Sequence, residues 1–222
     1  MVTRRIILCS ESLRLSHGNV KTFEQYSIDA RAVIELLKNN IESLRQGGVE
    51  IEPRGFNGKK EFMAKVPTLV RDSFEAFRHR SHEVEIFFVA LQDADTNDAR
   101  KISGIRRSLT TKIRRMIKEQ EFNRLHIMFA VQAIEAWILS DEQKLNEYLG
   151  MAKAKHFNDP ETIENPKQAV RNLFEQAGKK YTPQELLQLL PQLRFEELLR
   201  CRHFKQLYDC VREIVDGSAE AR

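Results

Sequence analysis

The segment Val84-Glu-Ile-Phe-Phe-Val-Ala-Leu91, followed at once by Gln92-Asp93-Ala94-Asp95, constrains the fold of this chain more than any other. An apolar run this short, rich in Val, Ile and Phe, reads as a buried strand. It stops abruptly at two carboxylates, Asp93 and Asp95, separated by one residue. Side chains two positions apart on extended backbone point the same way, so both can face one ion, and hard oxygen ligands suit Mg²⁺ or Mn²⁺. The plainer alternative is a polar turn in which Asp95, Asn97 or Asp98 caps the helix that follows.

Three more strands are expected, at Arg5 to Cys9, Val49 to Pro53 and Leu125 to Val131, with helical patterns between them. A long amphipathic helix is predicted from about Phe23 to Gln46, where Ile34, Leu37, Ile41 and Leu44 recur at helical spacing and Gly47-Gly48 ends it. Arg54 to Gly58 reads as a loop, and a helix from about Lys59 to Arg80 contains Pro67 as a kink or break. The next helix, about Asp98 to Gln120, carries an apolar stripe of Ile102, Ile105, Leu109, Ile113, Met116 and Ile117. After the fourth strand, Ala133 to Leu139 starts a helix that Ser140 and Gln143 restart as a capping box. Asp159-Pro160, Asn165-Pro166 and Thr182-Pro183 each place a capping side chain before a proline at the first helical position. This order predicts an α/β domain over residues 1–150 and an all-helical extension over 151–222 packed on it, fraying from Gly217. The α/β domain should hold a mostly parallel four-stranded sheet covered by helices on both faces.

The formal net charge is +4, and 41% hydrophobic with 31% charged residues is ordinary for a soluble globular protein. No apolar stretch approaches the roughly 18 residues that span a bilayer. Ile6-Ile7-Leu8-Cys9 after Arg4-Arg5 is too short for a signal-peptide core. A cytoplasmic protein with no membrane contact is expected. Cys9, Cys201 and Cys210 fit no zinc or redox spacing and are expected as buried, reduced thiols.

Ligand sites in parallel sheets lie outside the carboxyl ends of the strands. Glu11 ends the first strand as Asp93 and Asp95 end the third, so it is the candidate third carboxylate, as a further metal ligand or as a general acid or base toward a phosphodiester. Between Arg100 and Lys118 stand eight basic residues and no acidic one. Of these, Arg100, Lys101, Arg107, Arg114, Arg115 and Lys118 are the candidate contacts to a nucleic-acid backbone; the alternative is a solvated face that pairs with acids elsewhere. Glu135, two residues before the one tryptophan, Trp137, either supports a metal site or satisfies the amides of a helix start. His17 lies in the loop near Glu11, Lys59 and Lys60 open a helix, and His79 and His82 are spaced too poorly to suggest zinc.

Glu11 together with Asp93-Ala94-Asp95 resembles the TOPRIM fold, the metal-binding α/β domain of topoisomerases, primases and OLD-type nucleases. The segments Ile134-Glu135-Ala136-Trp137-Ile138-Leu139-Ser140-Asp141, Asn165-Pro166-Lys167 and Leu199-Arg200-Cys201-Arg202-His203-Phe204 resemble a bacterial TOPRIM-like family often encoded beside ATPases in phage-defence clusters. Where that family places a glycine after its first-strand glutamate this chain has Ser12, and Glu24 is a second candidate for the role of Glu11. The resemblance implies a Mg²⁺- or Mn²⁺-dependent nuclease acting in antiviral defence with an ATPase partner. Asp93, Asp95 and Glu11 would hold metal, and Glu135 would support catalysis. The alternative is a catalytically silent TOPRIM-like module that binds nucleic acid or a partner protein.

Overall fold

The third strand shows why the chain folds as it does. In a computed structural model, which describes residues 3–12, 28–80, 82–152 and 157–217, Ile86, Phe88 and Ala90 enter one hydrophobic core and Phe87, Val89 and Leu91 enter another. A strand that is apolar on both sides must be covered on both sides. The first strand repeats the pattern, with Ile6 and Leu8 in one core and Ile7 and Cys9 in the other. Among the described residues the chain runs β1 (Thr3–Ser12), α1 (Ile28–Asn40), the single turn α2 (Glu42–Arg45), β2 (Val49–Asn57), α3 (Gly58–Phe77), β3 (Val84–Asp93), α4 (Ala99–Arg114), the single turn α5 (Glu119–Phe122) and β4 (Leu125–Ala130). It continues through α6 (Glu135–Ile138), α7 (Glu142–Leu149), α8 (Pro166–Gln176), α9 (Pro183–Leu189), α10 (Phe195–Leu198) and α11 (Arg202–Asp216). The strands form one all-parallel sheet in the order β2-β1-β3-β4.

Helices α3 and α4 cover one face, where Phe62, Val66, Leu109 and Ile113 meet Phe88 and Phe129. Helix α1 covers the other face and shares its core with Trp137, Leu173, Phe204 and Ile214, from the helices that follow β4. Among the described residues no helix is long and apolar enough to cross a membrane. The three cysteines are free and buried, and burial pushes each thiol up to about 12.

Several boundaries differ from the sequence reading for identifiable reasons. Strand β2 runs to Asn57 through the expected loop, because Ser10, Glu11 and Ser12 pair with Gly55, Phe56 and Asn57. Helix α3 passes through Pro67 unbroken. Proline removes the N–H that the carbonyl four residues back would accept; that carbonyl, on Met63, accepts instead from Lys112 Nζ at 3.3 Å. The cap of α7 is Asp141, which accepts from the Lys144 amide, whereas the Ser140 hydroxyl donates to the Trp137 carbonyl at 2.7 Å. Asp159, Asn165 and Thr182 cap as expected, although Asp159 heads only a 3-10 turn. The start of the first long helix at Phe23, and the residues His17 and Glu24, lie outside the described residues.

Candidate active site

Strand order locates the site. The connections leaving β1 and β2 carry the chain first to one side of β1 and then across it to β3, so neighbouring β1 and β3 diverge in connectivity at their carboxyl ends. Parallel sheets bind ligands in the crevice at such a switch point. A cavity of about 300 Å³ lies there, lined by Glu11, Asp93, Asp95 and Glu135 together with Asp29, Lys167, Arg171 and Tyr181. The four carboxylates predicted from sequence are therefore brought together, from β1, β3, the turn after β3, and α6. By strand alternation Glu11 belongs with Ile7 and Cys9, and Asp93 with Val89 and Leu91, on opposite faces of the sheet. The cavity reaches both because it straddles the sheet's edge.

The Asp93 side chain is largely buried and has both oxygens engaged. Its Oδ1 accepts from the Ile134 amide at 3.2 Å and its Oδ2 from Lys167 Nζ at 2.8 Å. Burial raises its pKa, although Lys167 opposes the shift. Asp95 arrives by a different route from the one predicted. Its backbone is left-handed, with φ 52°, so extended alternation does not aim it. Its amide donates to the Gln132 carbonyl at 2.9 Å, and Gln132, left-handed at φ 61°, returns its own amide to the Thr96 carbonyl at 3.3 Å. Such conformations are unfavourable for residues other than glycine, and here two of them lock the turns after β3 and β4 to each other. Asp95 is exposed at the rim, where Lys59 Nζ lies 3.4 Å away.

Glu11 and Glu135 each keep one buried carboxylate oxygen, Oε1 and Oε2 respectively, with no hydrogen-bond partner among the described residues. Burial, then the charge of Asp93, pushes both carboxyls up to about 7. The other oxygen of Glu135 accepts from the Tyr181 hydroxyl at 3.4 Å. Asp29, in the first turn of α1, is raised well above the usual carboxylate range by burial and by the charges of Asp93 and Glu135. The Tyr181 hydroxyl is raised by burial and by Glu135. Burial works against the Lys167 ammonium, but Asp93 and Glu135 outweigh it and raise its pKa. Among the described residues no three His, Cys, Asp or Glu side chains are drawn together as a ready ligand set.

Sequence reasoning misses Asp29, Lys167, Arg171 and Tyr181 as site residues. Asn165-Pro166-Lys167 shows a helix start and carries part of the resemblance, but neither gives Lys167 a role, and nothing in spacing says which carboxylate that lysine will meet. The basic residues stand elsewhere. Asp98 caps α4, as the plainer reading allowed, accepting from the amides of Arg100 and Lys101. The helix ends at Arg114, so Arg115 and Lys118 lie beyond it rather than on the same helical face. Arg100, Lys101, Arg107, Arg114, Arg115 and Lys118 are exposed, and none of them lines the cavity. From Arg100 to Arg114 the row extends roughly 20 Å along the axis at about 1.5 Å per residue. Arg106 serves the structure, donating to the Ile127 carbonyl at 2.7 Å and lying over the Phe129 ring. His79 and His82 flank the start of β3, at the opposite end of the sheet from the cavity.

No curated protein and no solved structure matches the chain. One family model does, over residues 17–212, a span that includes Asp29, Asp93, Asp95, Glu135, Lys167 and Tyr181. By that match the chain belongs to the family described as a domain of unknown function, DUF4276.

Proposed function

We propose that this protein is a TOPRIM-type, metal-dependent nuclease that hydrolyses phosphodiester bonds in DNA or RNA. The supporting observation is the gathering of Glu11, Asp93, Asp95 and Glu135 around one cavity at the switch point of a parallel sheet. Buried carboxylates that repel one another are costly unless a cation joins them. The donor set is all oxygen, and two buried carboxylate oxygens have no partner among the described residues, which fits a hard ion such as Mg²⁺ or Mn²⁺. Asp93 and Asp95 would hold it, with Glu11 as the further ligand or proton acceptor. When bound, the ion would stabilise negative charge building on the phosphate oxygens. Glu11, with a carboxyl at about 7, is matched to take a proton from water near neutral pH. Glu135, which accepts from the Tyr181 hydroxyl, supplies a further carboxyl to the wall of the cavity. A role as the effector of a cytoplasmic antiviral system with an ATPase partner belongs to the same proposal and rests on the resemblance alone.

Purified protein incubated with plasmid, single-stranded DNA and tRNA, in Mg²⁺ or Mn²⁺, should cut at least one substrate, and Asp93→Ala with Asp95→Ala should cut none. Cleavage that survives the double substitution would overturn the metal site. The second reading, a silent module, is favoured by the Lys167 ammonium already bonded to Asp93 Oδ2; it is supported if nucleic acid binds and no metal yields cleavage.

The exposed residues of α4 and the turn after it give a separate test. Changing Arg100, Arg107 and Arg115 to Ala should weaken nucleic-acid binding and flatten its salt dependence, by about 0.7 to 0.9 in log–log slope for each phosphate that is no longer neutralised. An unchanged slope in a filter-binding titration would remove this face from the interface.

A further inference from the structure

Lys167 enters the cavity from the first turn of α8, where Asn165 accepts from the Gln168 amide and Pro166 fixes the first helical position. That rigid start aims the lysine at the sheet edge. Its Nζ donates to Asp93 Oδ2 at 2.8 Å, while Asp93 Oδ1 is held by the Ile134 amide. Asp93 thus has both oxygens engaged, whereas its neighbours Glu11 and Glu135 each retain a buried oxygen without a partner among the described residues. Lys59, which pairs with Asp95, does so at the exposed rim.

We propose that Lys167 is a built-in counterion that competes with the divalent metal for Asp93, so that its ammonium must leave Oδ2 before the metal can be held there. The inference rests on the metal-site reading above and adds to it what sets the site's affinity. An ammonium at hydrogen-bond distance and a Mg²⁺ ion about 2.1 Å from the same oxygen would be like charges a few ångströms apart in a partly buried setting, where repulsion is strong. The ammonium has somewhere to go. Its side chain is half exposed, and Glu135, whose charge already acts on it, offers Oε2. In the metal-free protein the lysine relieves the repulsion among Glu11, Asp29, Asp93 and Glu135; in the loaded protein that task passes to the metal. The arrangement explains why the carboxylates gather without closing into a ligand set.

Mn²⁺ binding, followed by the electron paramagnetic resonance signal of the free ion and by calorimetry, tests this on wild type, Lys167→Met, Lys167→Arg and Asp93→Ala. Removing the charge while keeping the length should tighten binding about ten- to a hundred-fold, the strength of one charge-assisted hydrogen bond. Lys167→Arg should bind like wild type and Asp93→Ala should not bind. If wild type binds, Asp93→Ala does not, and folded Lys167→Met binds no tighter, the counterion role is overturned and the metal site stands. If neither wild type nor Lys167→Met binds, both readings fail together. Should Lys167→Met fail to fold, wild type decides. Mg²⁺ titration should shift the Lys167 side-chain ammonium resonance, and a resonance unmoved at saturation overturns the proposal.

Discussion

Without divalent metal, the protein should lose stability as the pH rises from about 4.5 through about 7, and Glu135→Gln should remove much of that loss. Burial and the charge of Asp93 push Glu11 and Glu135 from 4.5 up to about 7. A carboxyl raised on folding makes the folded state bind protons more tightly than the unfolded chain. Its stabilising contribution is complete below the unfolded value and disappears as the pH passes the folded one. The loss is on the order of 3 kcal/mol for the buried Glu135 and less for the partly exposed Glu11. Glutamine at 135 imitates the protonated acid at every pH. The variant should match wild type near pH 4.5 and melt several degrees higher at pH 8 in chelator. Melts across this range, with and without saturating Mg²⁺, provide the check. A wild-type stability that rises with pH in chelator would mean that burial and the charge of Asp93 do not raise these two carboxyls as described.

The second large effect is expected at Trp137. The indole is 0% exposed and stands edge-on to Phe204, ring centres 5.3 Å apart. It therefore joins α6, which carries Glu135, to α11 near the end of the chain. Trp137→Ala should cost about 3 to 5 kcal/mol through forfeited transfer energy and the cavity left behind. That is a large share of the roughly 5 to 15 kcal/mol that keeps a domain folded, and it should lower the melting temperature by about 10 °C. Trp137→Phe should cost far less. It keeps the ring contact and removes an indole N–H that is buried without a partner among the described residues. Urea unfolding of the two variants separates these values. A loss below about 1 kcal/mol for alanine would show that α6 and α11 are held together by other contacts.

The parts of this molecule that can be read from its sequence are those in which one residue's neighbours along the chain decide its place. The run from Ile86 to Leu91 must be a doubly covered strand because it is apolar at every position, and that alone implies the layers around it. Asn165 and Thr182 show themselves as caps because capping is local. Asp93 and Glu11 can be nominated because strand ends in parallel sheets meet at one edge. Lys167, Tyr181 and Asp29 cannot be nominated, since what makes them site residues is which carboxylate each faces, and that is decided by how α8, α9 and α1 dock. Extended alternation puts Asp95 in the right cavity by the wrong geometry, because a left-handed turn held by Gln132 aims it. The continuity of α3 through Pro67 is hidden for the same reason as the lysine: the compensating donor, Lys112, lies 49 residues from the carbonyl it satisfies.

The wall of the cavity is recruited from residues as far apart in the chain as Glu11 and Leu186. During synthesis, β1 through β4 leave the ribosome long before α8 and α9, and until then the acidic edge has neither its lysine nor its tyrosine. Contacts of such long range are slow to form, because each must close a large loop first. The nascent chain therefore passes through an interval in which all four strands have been made and neither the finished pocket nor the helical cover of one sheet face has been. A cell that makes this protein has a delay between translating its acidic residues and completing the chamber that groups them.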